Sequence, residues 1–115
     1  MKCPPHIIRL REPWEREVST GHSTGSSRRL VLRRAFARPT GLVVTTRVLL
    51  AVAPFDHPAH VALNGSTLGS VLDATTSFDI TSRLRDRNHV EINVPIHSPV
   101  DAINNVHLEI HELPP

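Results

Sequence analysis

The sequence has no tyrosine, one tryptophan, three phenylalanines and a single cysteine. One cysteine forms no intrachain disulfide and builds no cysteine-rich zinc site, so the fold has to hold itself by packing. Scarce aromatics count against a nucleic-acid surface, which interleaves basic residues with stacking rings. The net charge is only +2, and Lys2 stands alone among arginines; no nucleic-acid partner is expected. No apolar run approaches the roughly 20 residues of a membrane-spanning helix, so no membrane partner is expected either. Met1 to Pro5 lacks the charged start, apolar run and small-residue cleavage site of a secretory leader, and a cytoplasmic location is the expectation that follows.

What is present fits one globular unit. The chain has 115 residues, 39% hydrophobic and 21% charged, enough to bury a single core over 1–115. Residues 1–6 are expected to be flexible, and the Gly/Ser/Thr-rich stretch 19–27 reads as an exposed loop. Ten prolines punctuate short apolar segments, and no window of a dozen residues carries a helical period. The expected strands are Ile7 to Arg11, Trp14 to Val18, Arg29 to Phe36, Leu42 to Val52, His60 to Leu63, Ser66 to Leu68, Phe78 to Ile80, Asn88 to Val94 and Asn105 to His111. In the third, Leu30, Leu32 and Phe36 share a face; in the fourth, Val44, Val48, Leu50 and Val52 do. Asn64-Gly65 is the preferred pair for a two-residue hairpin turn. Asp79 or Thr81 is placed to cap a brief helical turn running to Leu84. In the last two strands Val90, Ile92, Val94, Val106, Leu108 and Ile110 alternate with His89, Glu91, Asn93, His107, Glu109 and His111, so the first set is predicted inward and the second outward. Short strands, frequent turns and no long helix indicate an all-β fold, an antiparallel β-sandwich with jelly-roll topology.

Three segments carry a family resemblance and a fourth extends it. "VALNGSTLGSV" (Val61 to Val71), "SFDITSRLRDRNHVEINV" (Ser77 to Val94) and "VHLEIHE" (Val106 to Glu112), preceded by "RRAFARP" (Arg33 to Pro39), resemble the galactose-binding-domain-like jelly roll that precedes the catalytic barrel in family 2 glycoside hydrolases of the β-galactosidase and β-glucuronidase type. These segments span about two thirds of the chain in the family's order. The resemblance implies a stand-alone sugar-binding-type sandwich without hydrolysis, because the family's catalytic glutamates lie in a barrel that this chain is too short to contain. The sequence departs from the pattern at Arg87, where related domains often have glycine, and a tighter turn is expected there. By their residue types alone, Phe78 and Ile80 suit plugs of the sandwich and Leu84 packs beneath them, while Asn88 is a residue that tolerates a left-handed backbone.

Eight histidines raise a metal hypothesis, but no ligand spacing is diagnostic. His107 and His111, four residues apart on one strand face, lie about 13 Å apart at strand rise, and no metal or other cofactor is expected. No catalytic residue is identified: there is no phosphate loop and no nucleophile elbow, and outward Glu91 and Glu109 suit solvation as well as chemistry. Trp14 is the one aromatic available for stacking a sugar, yet a large aromatic more readily closes a small β core. Arg47, Glu91, Asn93, His107 and Glu109 form the candidate ligand-binding set, a hydrogen-bonding face that a merely solvated sheet would also show. The arginines between Arg28 and Arg38 offer contact to an acidic partner, or simply lay their stems over the sheet. The expected function is a non-catalytic binding module, with carbohydrate as the ligand the resemblance implies. The alternative is a protein-interaction or assembly module, including a homodimer, using a sheet face or edge strand; a small hydrolase or metal-dependent enzyme comes third.

Overall fold

A computed structural model describes residues 4–20 and 28–112. Nine strands run β1 (His6–Arg9), β2 (Glu15–Thr20), β3 (Arg28–Ala37), β4 (Thr46–Val52), β5 (Ala59–Leu63), β6 (Ser66–Val71), β7 (Thr76–Asp79), β8 (Arg87–Pro95) and β9 (Val106–Glu112), with short 3-10 turns at Thr81–Arg83 and Asp101–Asn105. They form two antiparallel sheets, β1-β9-β4-β7 and β2-β3-β8-β5-β6. Period-two alternation places every second side chain between the sheets. Leu32, Leu50, Leu63, Ile80, Val90, Ile92 and Leu108 make the fully buried centre. This is the sandwich the sequence predicts.

The predicted inward and outward sets hold, with differences of degree. Val90, Ile92, Val94 and Leu108 are fully buried, whereas Phe78, Leu84 and Ile110 are partly buried and pack against the same core. Trp14 is 3% exposed, and its indole N–H donates to the Leu10 carbonyl at 3.0 Å. The ring therefore closes the core and offers no stacking face.

Turn chemistry explains where the strands stop. Asn64 and Gly65 both take positive φ, 51° and 85°, the pairing a type I′ hairpin requires. Just beyond, Gly69 pairs with Val61 while Thr67 pairs with Ala62, so Leu68 is an extra residue in β6. Gly69 lies at φ 157°, and a Cβ there would stand 2.9 Å from Phe78 Cε1. The missing side chain lets Phe78 of the β7 edge reach across to β6 and close the open side of the sandwich.

Several expectations are corrected. The apolar run from Leu42 is not strand until Thr46, and Val44 is 91% exposed. The Thr46 hydroxyl accepts the Val43 N–H at 3.1 Å and Thr46 N–H returns to the Val43 carbonyl at 2.9 Å, a side-chain-locked turn that overrides β propensity. Of the exposed loop expected at 19–27, Ser19 and Thr20 are instead strand, paired with Arg29 and Arg28 across β2 and β3; 21–27 lie outside the described residues. Of the lead-in 1–6, His6 pairs with Ile110, and 1–3 lie outside the described residues. The first strand stops at Arg9 and the last begins at Val106, because Asn105 belongs to the preceding 3-10 turn.

Candidate functional site

The five candidate residues do not share a face. Arg47, His107 and Glu109 belong to β4 and β9 of the four-stranded sheet, and Glu91 and Asn93 to β8 of the five-stranded sheet. Each group points away from the core, so the sandwich separates them. Sequence alternation identifies outward residues correctly but does not say which sheet a strand joins.

On the five-stranded sheet the outward groups are tied to one another. Register sets Arg33 opposite Glu91, and Arg33 Nε donates to Glu91 at 2.9 Å while its Nη1 is bonded to Glu17. These two carboxylates hold the Arg33 guanidinium more firmly as a cation, Glu91 having the larger effect. Arg29 donates to Asn93 through Nε at 2.5 Å and to its carbonyl through Nη2 at 3.2 Å. Val31 faces outward between these arginines yet is buried, as expected when aliphatic stems cover a sheet.

On the four-stranded sheet, Glu109 bridges two imidazoles. Its Oε2 lies 2.9 Å from His107 Nε2 and its Oε1 3.0 Å from His111 Nε2. The carboxylate is held below its ordinary pKa, first by the His107 hydrogen bond and then by that of His111. Alternate residues on one strand share a face, which brings His107, Glu109 and His111 into this row. Strand spacing keeps the two imidazoles at opposite ends of one carboxylate. Among the described residues no group of three His, Cys, Asp or Glu side chains is arranged to hold a metal. Arg47 Nη1 donates to the carbonyls of Thr46 at 3.2 Å and Val44 at 3.4 Å. Asp79 accepts from the Thr81 hydroxyl at 2.7 Å and its N–H at 3.0 Å. Those bonds lower its pKa, with the nearby Arg47 charge adding a smaller effect.

Beside this row opens a pocket of about 480 Å³ whose lining includes Ile7, Arg9, Thr75, Asn104, Asn105 and His107. Of the five candidate residues it contains only His107. The others come from the end of β1, the approach to β7 and the 3-10 turn before β9, segments brought together by tertiary structure alone. In the sequence Asn105 is placed at the start of the last strand and Asn104 carries no signal, so neither points to this pocket.

Glu91 and Glu109 cannot flank one glycosidic bond. Packed sheets stand about 10 Å apart, and side chains on their outer faces are farther apart still. Glycosidase carboxyl pairs sit about 5–9.5 Å from each other.

No family model matches the chain, and no curated protein matches it. Solved structures do. An FMN-binding β-glucuronidase from Facaelibacterium prausnitzii L2-6 is similar at TM-score 0.71 and 21% identity, over 92% of this chain and 22% of that one. A Bifidobacterium dentium β-glucuronidase, solved with coumarin-3-O-glucuronide, is similar at TM-score 0.65 and 21% identity, over 80% of this chain and 20% of that one. A β-D-mannosidase from Dictyoglomus thermophilum follows at TM-score 0.64 and 13% identity, over 77% of this chain and 15% of that one. At such identities the likeness is one of fold, and this chain spans about a fifth of the length of the glucuronidases. The likeness is thus of fold alone, an antiparallel β-sandwich shared with part of these glycosidases, and it agrees with the fold that the resemblance of Ser77 to Val94 implies.

Proposed function

We propose that the chain is a non-catalytic binding module that takes carbohydrate at the pocket beside His107. The observation that carries this reading is the convergence there of Arg9, Thr75, Asn104, Asn105 and His107 around apolar Ile7, a mixed lining suited to hydroxyl groups. The likeness to glycosidases over about a fifth of their length supports a non-catalytic role. So does the separation of Glu91 from Glu109 on opposite faces, since Glu109 is held ionised by two histidines and Glu91 is paired with Arg33. With Trp14 buried, recognition rests on hydrogen bonds, each netting only about 0.5–1.5 kcal/mol against water. Binding is therefore weak and independent of metal. A glycan array followed by calorimetric titration tests it: His107→Ala should abolish the heat of whichever glycan binds. Binding untouched by that change, or no binding to any glycan, overturns the reading.

A second reading is assembly through sheet edges. β1 and β2 are edge strands of the two sheets, and each exposes a large apolar residue, Ile7 and Val18, where unpaired backbone groups invite another strand. The mass in solution decides it, a monomer at high concentration excluding a homodimer.

A further inference from the structure

We propose that a second, arginine-lined pocket binds an oxyanion group, such as the carboxylate of a sugar acid or the phosphate of an ester. This pocket of about 310 Å³ lies where β3 begins and β8 ends, and its lining includes Arg28, Arg29, His57, Pro95, His97 and Ser98. It is separate from the pocket beside His107, and the two share no residue.

The geometry carries the assignment in three steps. Two guanidiniums and two imidazoles contribute to the lining and, among the described residues, no carboxylate does, so these residues present donors and positive charge without a counter-ion among themselves. Arg29 is fixed in place, its Nε and Nη2 bonded to Asn93 at 2.5 and 3.2 Å, while the Arg28 side chain has no hydrogen-bond partner among the described residues. A guanidinium fork fits planar carboxylate and tetrahedral phosphate alike.

The third step is Ser98. Its side chain is on a residue only 7% exposed, and its hydroxyl is buried with no hydrogen-bond partner among the described residues. The backbone places it by a turn in which Ser98 N–H donates to the Pro95 carbonyl at 3.0 Å. Ile96 N–H donates to the Arg28 carbonyl at 3.2 Å, locking that turn to the start of β3. Buried polar groups in folded proteins nearly always have partners. An oxyanion seated among Arg28, Arg29 and the two histidines supplies an acceptor at this wall of the pocket.

Amide spectra of the full chain, titrated separately with inorganic phosphate, glucuronate, glucose and sodium chloride at matched ionic strength, test the assignment. Saturable shifts at Arg28, Arg29 and 96–98 with phosphate, glucuronate or both support it. The stronger of the two then identifies an ester or a sugar acid as the source. Arg28→Ala, at an exposed strand end, should weaken the response about tenfold, consistent with loss of a charge-assisted contact. Ser98→Ala should weaken it less while leaving the melting temperature of the free protein unchanged or raised. His107→Ala should leave it intact, which separates this site from the carbohydrate reading. Equal shifts with chloride, shifts with glucose matching those with glucuronate, no saturable shift, or full response in Arg28→Ala would each overturn the proposal.

Discussion

Asn64 of the hairpin turn donates through Nδ2 to the Oδ1 of Asn88 at 3.0 Å, joining two segments 24 residues apart through their side-chain amides. Asn64 also accepts the His89 N–H at 2.8 Å and returns its own N–H to the His89 carbonyl at 2.9 Å. Asn88 accepts the Arg85 N–H at 2.9 Å and donates to the Arg85 carbonyl at 2.8 Å, closing the turn that precedes β8. The β5-β6 hairpin and the entry to β8 are thereby one hydrogen-bonded unit. Asn88 is fully buried, so deletion of its amide strands several partners at once, each costing about 1–3 kcal/mol where water cannot replace it. Asn88→Ala is expected to lose about 2 kcal/mol or more, and Asn64→Ala less, since its surroundings are wetter. Urea titration of both variants and the double mutant measures this; additive effects would show that the two amides do not act together.

The two glycines beside that unit fail for different reasons when substituted. Gly65 has open space around it but φ of 85°, so Gly65→Val carries backbone strain of about 1–3 kcal/mol. At Gly69 the obstacle is the Phe78 ring, 2.9 Å from the position of a Cβ. Gly69→Ala should destabilise the fold, and Gly69→Ala combined with Phe78→Leu should recover part of that loss by removing the colliding ring. Absence of recovery in the melting temperature would place the cost in the backbone instead.

Alternation was readable in the sequence wherever a strand has one dry and one wet face. Asn88 to Val94 and Val106 to Ile110 alternate so regularly that both their existence and their inward set follow from period two. Asn64-Gly65 was readable because its turn needs residues that tolerate positive φ. Less was legible where side-chain hydrogen bonds override propensity. Thr46 stops an apolar run that otherwise reads as strand from Leu42, and Asn88 serves through its amide while only Asn64 among the described non-glycine residues has positive φ. The Thr81–Arg83 turn likewise begins from Ile80 without a side-chain cap, Asp79 instead binding the N–H and hydroxyl of Thr81. The candidate set split because sheet membership depends on non-local pairing, which one strand's pattern does not contain. Arg9, Thr75 and Asn104 meet His107 for the same reason, unannounced by any spacing.

Ile92 lies at the centre of the core with no exposed surface, on a strand flanked on both sides by β3 and β5. A central position leaves little room for neighbours to collapse into the space of a removed side chain. Ile92→Ala is expected to cost about 2–5 kcal/mol. The midpoint in urea should fall with little change in slope, and a loss well under 1 kcal/mol would mean that the core relaxes around the cavity.

Acid should weaken the fold through Glu109. Its folded pKa is lowered by His107 and His111, so the unfolded chain binds protons more readily at this site. The stabilisation is fully present above the ordinary glutamate value of about 4.3 and is lost as pH falls through the lowered folded value. Asp79, lowered by Thr81, acts in the same direction. Glu109→Gln should be less stable than the parent near neutral pH and should lose less stability on acidification below about pH 4.3. Parallel stability curves for the two proteins over that range would show that the histidine bridge does not lower the Glu109 pKa.

The purified chain is expected to turn over no nitrophenyl glycoside, glucuronide included. A retaining or inverting mechanism needs two carboxyl groups facing one bond, one of them held protonated as the acid. Glu91 and Glu109 face away from each other across the sandwich, and the histidines push the Glu109 pKa down, the opposite of what an acid catalyst requires. Rate measurements on the parent, Glu91→Gln and Glu109→Gln should all remain at the buffer background, and a chelator should leave the melting temperature unchanged. Turnover that disappears in either variant would establish a catalytic carboxylate on a sheet face. A large fall in melting temperature with chelator would instead establish a bound metal, with His107 and His111 the first residues to substitute in locating it.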